Sequence, residues 1–287
     1  MSIRFLRPEL ERLDARLQAL SAMRGARVSA DAFYWELWYA QARDIRARSE
    51  VHPGLLLPYL ARVTPPPASV LFVGGRNALG VIPLAQAGYD VTVLMPAALG
   101  LELVHDEATA AGVAEKLSYV CGYPGDAAML GESAFDAVVA MQWIGMEKDL
   151  PSLLPALLRV CRKALCFDVM SRYGFLAARM PGAYRWTAGF TPETMLYVMD
   201  KHETPGGRPV RHEEYPLYTS DEIAEIARRA GIRFERVIPT DYRDVFQWWD
   251  DPDEGATERL VSRMEGDEVL RELALTFVIL GQKTARR

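Results

Sequence analysis

Residues 69–96 read SVLFVGGRNALGVIPLAQAGYDVTVLMP, and this stretch decides the fold. Val70-Leu71-Phe72-Val73 is a short apolar run followed at once by Gly74-Gly75, as in a buried parallel strand that ends in a tight turn. Residues 79–87 have helical spacing and stop at Gly88, and Val91-Thr92-Val93-Leu94 is a second apolar run. Strand, turn, helix and strand in this order have the layout of a nucleotide-binding unit. Two turn positions that glycine would normally fill hold Arg76 and Ala78, and the second strand ends in Met95, where a carboxylate is expected.

Upstream, residues 8–62 read as helices: an amphipathic one over 9–20, one over 30–48 with Ser29 as its cap, and a short one over 55–63 ended by Pro65. Pro65-Pro66-Pro67 is a rigid connector. Downstream the rhythm continues. A helix is expected over 101–111, strands over 117–121 and 135–141, a helix over 150–161 and a strand over 164–169. Residues 171–218, rich in Tyr, Arg, Gly and Pro, interrupt it and read as an inserted cap. Thr219-Ser220-Asp221-Glu222 is a capping box opening a helix to Ala230. A strand over 232–238, a polar helix over 256–265 and a last strand over 273–280 complete the chain.

The chain has 287 residues and a formal net charge of −5, which argues against a nucleic-acid partner. Its three cysteines, Cys121, Cys161 and Cys166, contain no C-x-x-C pair, so neither a disulfide framework nor a zinc site is indicated. Cys121 and Cys166 lie in apolar runs and read as core. The N-terminus has no apolar signal region, and no apolar run is long enough to span a membrane. A cytoplasmic location is therefore expected.

From Val70 to Lys283 the chain resembles the class I S-adenosylmethionine (AdoMet) methyltransferases. Gly74, the helix over 79–87, Gly88 and Val91-Thr92-Val93 fit that family's spacing without a gap. Phe135-Asp136-Ala137-Val138 fits its "FD-x-V" strand, and the closing helix and two strands fit its ending. The resemblance implies an α/β fold: a doubly wound, mostly parallel seven-stranded sheet with helices on both faces and the last strand antiparallel. N-terminal helices and the inserted cap are added to it. The expected organisation is a helical segment (1–64), an AdoMet-binding Rossmann-like core (65–170), a cap for the acceptor (171–218) and the rest of the core (219–287).

In the turn, Gly74 and Gly75 allow close backbone approach to a ligand, and Asn77 tolerates a left-handed conformation. Arg76 could reach the cofactor's carboxylate or simply point to solvent. Phe72 and Met95 stand where the family carries acids. At Met95 the acid would accept from the ribose hydroxyls, so the resemblance leaves open how the ribose is held. A dinucleotide site fits less well, since G-x-G-x-x-G is absent. After the third strand Tyr123 takes the place of the family's adenine-binding acid, and Asp126 could do its work through a shifted loop or be an ordinary turn residue. Gln142 and Trp143 follow the fourth strand, where they would face the methionine arm, or Trp143 packs the sheet edge. In Phe33–Tyr39, Tyr34 and Trp38 share a helical face and could line the pocket of a sulfonium, or dock into the core. Tyr173, just after the fifth strand, is the leading candidate for contact with the reacting centre, and His212 or His202 is a candidate general base. The four histidines have no metal-ligand spacing, so no metal is expected.

The function expected is methyl transfer from AdoMet to a small molecule, by in-line attack on the sulfonium methyl. One alternative is an AdoMet enzyme that attacks the aminocarboxypropyl arm, for example by ring closure releasing methylthioadenosine. Another is a non-catalytic binding module with a decayed site. The sequence leaves the oligomeric state open.

Overall fold

The structure is a computed structural model that describes residues 53–74, 80–141, 150–174, 187–190, 195–202, 209–240, 266–274 and 276–284. Seven strands form one sheet: β1 (Ser69–Gly74), β2 (Asp90–Met95), β3 (Leu117–Cys121), β4 (Phe135–Met141), β5 (Cys161–Met170), β9 (Ile232–Thr240) and β10 (Thr276–Lys283). Their order is β3-β2-β1-β4-β5-β10-β9. The pairs from β3 to β5 are parallel, and β10 runs antiparallel to both β5 and β9. The sheet is therefore doubly wound and mostly parallel, as the apolar runs imply.

The period of two in a strand sorts its side chains into two layers. Val70, Phe72, Val91, Val93, Met95, Val139 and Met141 pack with residues of α1 (Pro53–Val63), α2 (Val81–Gln86) and α3 (Ala98–Ala110). Leu71, Val73, Leu94, Val138, Ala140 and Phe167 pack with α4 (Leu150–Val160) and α5 (Ser220–Arg229) on the other face. Strands buried on both faces need apolar residues at every position, which is why β1 reads as a continuous run. In α4 the buried residues Leu150, Leu153, Leu154, Leu157 and Leu158 recur at three- and four-residue spacing, one stripe on the sheet. A short helix α6 (Glu268–Arg271) precedes β10.

The amino ends of β1 and β4 are stapled together. Asp136 accepts from the backbone N–H and the hydroxyl of Ser69, both at 3.1 Å, and Ser69 Oγ accepts from Asp136 N–H. Arg162 and Lys163 lie 3.4 and 3.7 Å from the same carboxylate. Burial raises the carboxyl's pKa, but the Ser69 bonds and Arg162 outweigh it and hold it below its usual value. The aspartate of the "FD" motif is thus at the sheet end opposite Gly74.

The capping box forms as read: Thr219 Oγ1 accepts from Glu222 N–H at 3.2 Å, and Glu222 accepts from Thr219 N–H at 2.9 Å. Other expectations shift. Helix α3 begins at Ala98, three residues early, because Pro96 and Ala97 end β2 and lead straight into it. Cys161 opens β5 instead of closing α4. The last strand is displaced from 273–280 to Thr276–Lys283, with Gln282 and Lys283 still paired to β9. Cys166 is buried, but Cys121 is exposed, because β3 is an edge strand and Cys121 ends it. Within 171–218 the chain forms an antiparallel sheet of β6 (Thr187–Phe190), β7 (Met195–His202) and β8 (Pro209–Leu217), which the composition did not suggest. The expected helices over 9–20, 30–48 and 256–265 lie outside the described residues. Among the described residues, no helix is long and apolar enough to cross a membrane.

Candidate active site at the carboxyl ends of the strands

The strand order reverses between β1 and β4. One connection leads from β1 towards β2 and the other from β4 towards β5, and sheets of this kind bind ligands outside the carboxyl ends at such a reversal. The register brings these ends level. Gly74 pairs with Met141, Val73 with Leu94, and Met95 with Cys121. Gly74, a buried residue, thus ends β1 at this reversal, beside Met141.

The end of β2 is apolar. Met95, Pro96 and Ala97 are buried, and Met95 packs in the same layer as Val93, Ala97 and Val104. The Met95 carbonyl accepts from Gly122 N–H at 2.8 Å, which ties the ends of β2 and β3 together. Cys121 Sγ donates to the Pro96 carbonyl at 3.8 Å. Phe72, the other position where an acid was expected, is fully buried in the same layer.

Beyond β3 the chain turns into a short 3-10 helix, Pro124–Leu130, that folds Asp126 back. Asp126 Oδ2 accepts from Tyr123 N–H at 2.8 Å, so its carboxylate sits against the position that Tyr123 occupies by count. Gly122 makes room for it: a Cβ there would lie 3.1 Å from Asp126 Oδ2 and 3.2 Å from Leu94 Cδ1. Asp126, Tyr123 and Met129 are exposed around this turn. Asp126 thus adds a charged side chain just beyond the carboxyl end of β3.

At the end of β5 the chain leaves for the small sheet and returns beside itself. Ser171 bridges Tyr218, Arg172 N–H donates to Tyr218 O at 2.8 Å, and Tyr218 N–H donates to Met170 O at 3.0 Å. Arg172 grips both oxygens of Glu222 at 2.7 and 2.6 Å. Ser171 Oγ donates to the Glu272 carbonyl at 2.9 Å, and the Glu272 carboxylate accepts from Ser220 N–H at 2.9 Å. Tyr173 projects from this knot with half its surface exposed. His212 lies on β8 opposite Asp200, and His202 ends β7 opposite Pro209.

The structure therefore brings Gly74, Met95 and Asp126 to the ends of neighbouring strands and puts Tyr173 at the end of β5. Gly75, Arg76, Asn77, Gln142, Trp143, Tyr34 and Trp38 lie outside the described residues. Sequence reading missed Gly122 and Glu272. The closeness of Asp126 to Gly122 becomes visible only once Asp126 folds over it, and nothing local marks Glu272 as a partner of residues 52 and 101 positions away. Among the described residues no group of His, Cys, Asp and Glu could hold a metal ion.

No protein-family model matches the chain, and no curated protein matches it in sequence. Solved structures match its fold. The methyltransferase solved with the Haloferax volcanii Trm112 methyltransferase activator superposes with a TM-score of 0.55 at 16% identity, over 88% of this chain and 97% of that one. The CcbJ methyltransferase from Streptomyces caelestis gives 0.53 at 16% identity, over 86% and 98%. An AdoMet-dependent methyltransferase from Clostridium acetobutylicum gives 0.53 at 10% identity, over 88% and 99%. The fold is that of the class I AdoMet-dependent methyltransferases.

Proposed function

We propose that the protein binds AdoMet outside the carboxyl ends of β1 and β4 and transfers its methyl group to a small molecule. The observation that carries this reading is the strand-end arrangement: Gly74 and Met141 side by side at the reversal of strand order, with Asp126 folded over Gly122 two strands away. Three features support such a group: Gly74 adds no side chain at the buried end of β1, Asp126 folds close over Gly122, and Tyr123 N–H orients one of that carboxylate's oxygens. Asp126 would hold the adenine end. Gly75, Arg76 and Asn77 would continue the cradle, Gln142 and Trp143 would meet the methionine arm, and Tyr34 and Trp38 would cover the sulfonium.

AdoMet supplies an electrophilic methyl on a sulfonium. The chain's own part is to hold the acceptor in line with that methyl and to keep water out. Tyr173, half exposed just past β5, would be the residue to meet an acceptor approaching there. His212 is the candidate to take a proton from the acceptor. Residues 171–218 would act as the acceptor-side cap, fixed at its base by the Arg172–Glu222 grip.

A second reading keeps AdoMet but breaks the bond to the aminocarboxypropyl arm. The burial of both Phe72 and Met95, where the family carries acids, favours it, since a changed grip would hold the molecule in another bend. Incubation with methyl-labelled AdoMet and a low-molecular-weight metabolite fraction separates the readings. Methyl transfer yields S-adenosylhomocysteine and a labelled small molecule, and attack on the arm yields methylthioadenosine that keeps the label. Saturable binding with neither product, across fractions from several sources, would leave a binding module.

A further inference from the structure

This inference rests on the cofactor reading above and concerns the charge that stands beside the cofactor. In the second half of β5, Cys166, Phe167 and Val169 are buried and apolar. Asp168 interrupts them. It is only 8% exposed, a burial that a carboxylate rarely reaches without a partner or a task.

The register gives its place. Ala140 pairs with Phe167 in parallel strands, so Met141 and Asp168, each one residue on, stand level, and Met141 pairs with Gly74. Gly74, Met141 and Asp168 thus form a row across β1, β4 and β5 at the reversal of strand order. With about 4.8 Å between neighbouring strands, the row spans about 10 Å. The period of two gives the direction. Phe167 and Val169 pack in the layer of α4 and α5, whereas Cys166 packs in the layer of α1 to α3. Met141 and Val278, the residues beside Asp168 on the two neighbouring strands, pack in that same layer. Asp168 therefore leaves the sheet on the same side as Met141. It has a partner of its own, and a carboxylate offers about four acceptor sites, so one partner does not exhaust it.

We propose that Asp168 is the counter-charge of the cofactor site: it favours ligands with a positively charged sulfur, so that AdoMet is bound in preference to its neutral thioether, S-adenosylhomocysteine. A charge is felt more strongly beside a buried carboxylate than in water, because little solvent lies between to screen it. The positive charge leaves the sulfur as the methyl is transferred, so the interaction is stronger before the reaction than in the transition state. It therefore serves cofactor selection and product release, not the rate of the chemical step.

The test is calorimetric titration of the full chain, Asp168→Asn and Asp168→Glu with AdoMet and with S-adenosylhomocysteine. The two ligands differ only in the methyl and the charge on sulfur, so a general loss of fit weakens both alike, and the ratio of their affinities is the readout. In Asp168→Asn the preference for AdoMet is expected to fall about tenfold or more, the size of one charge–charge interaction at a partly screened site. In Asp168→Glu, which keeps the charge, the ratio is expected to stay within about threefold of the wild type. An unchanged ratio in Asp168→Asn, or an equal fall in Asp168→Glu, overturns the inference and leaves the cofactor reading intact. Failure of the wild type to bind either ligand overturns the cofactor reading and takes this inference with it. Where Asp168→Asn does not fold, the wild type decides: tighter binding of AdoMet than of S-adenosylhomocysteine is expected, and equal or weaker binding overturns the inference.

Discussion

Gly174 is the tightest backbone contact at the edge of the candidate site, and replacing it with alanine gives a sharp prediction. An ideal Cβ at Gly174 would lie 1.8 Å from the Ala274 carbonyl oxygen, 2.3 Å from its carbon and 2.6 Å from Leu273 O. Carbon approaches a carbonyl oxygen to about 3.3 Å at closest, so the two segments would have to part by roughly 1.5 Å. That movement breaks the bonds that Gly174 N–H and Ser171 Oγ make to the Glu272 carbonyl, 3.1 and 2.9 Å long. Two bonds at about 1 kcal/mol each, with about 1–3 kcal/mol of overpacking strain, are offset by roughly 0.7 kcal/mol for the stiffer unfolded chain. The expected loss for Gly174→Ala is about 2–4 kcal/mol, read as a lower urea midpoint at unchanged slope. Gly112→Ala is the control, since Gly112 has φ +71° but nothing within 4 Å of its Cβ. It carries only the left-handed penalty of about 1–2 kcal/mol, less the same offset. If Gly174→Ala costs no more than Gly112→Ala, the tight packing of residues 171–174 on 272–274 is wrong.

Asp136→Asn should lower stability by about 1–3 kcal/mol near neutral pH, where a charged acceptor for Ser69 is lost. Because the folded carboxyl titrates below its unfolded value of about 3.9, the wild-type advantage is complete above that value. It fades as the pH falls through the folded value, and an advantage that grew in acid would reverse the assignment. Burial pushes the Cys161 thiol up to about 11 and raises Cys166 further, whereas Cys121 is exposed. A thiol reagent at mildly alkaline pH should therefore modify one of the three cysteines quickly, and the other two only on unfolding; two fast thiols would contradict the burial. A double-mutant cycle on Arg172→Met and Glu222→Gln should give a coupling of about 1 kcal/mol, since Glu222 is 43% exposed and partly screened. No coupling would mean that the grip does not hold the base of the small sheet.

The sheet was legible because its central strands are buried on both faces. Val70–Val73 and Ala137–Met141 have no polar side to disguise them. The leucine spacing of α4 and the Thr219–Glu222 box are equally local signals, and both helices form at these positions, each ending one residue before the expected end. What was not legible depends on neighbours distant in sequence. The antiparallel partners carry β10 on to Lys283, whose Nζ donates to the Cys161 carbonyl at 2.8 Å, although its polar residues read as the end of a strand. Cys121 looks like core in its apolar run, and only the sheet order reveals that β3 is an edge. Among the described residues the strands β6 to β8 pair with one another in a sheet of their own, and their glycines, prolines and charges obscured them. In the site, the strand end at Gly74 was readable, but the fold-back of Asp126 over Gly122 was not. It needs the 3-10 turn, which the sequence Tyr123-Pro124-Gly125-Asp126 suggests only as a turn.

Calorimetric titration of the full chain with AdoMet, alongside Asp126→Asn, tests most directly whether the strand ends at Gly74 and Asp126 hold it. Saturable binding to the wild type is expected. Affinity about tenfold weaker or worse is expected in the variant, whose neutral amide would lose the charge-assisted bond to the base. Absence of heat with the wild type at every feasible concentration and at two temperatures would contradict this reading, and so would equal affinity for the two proteins.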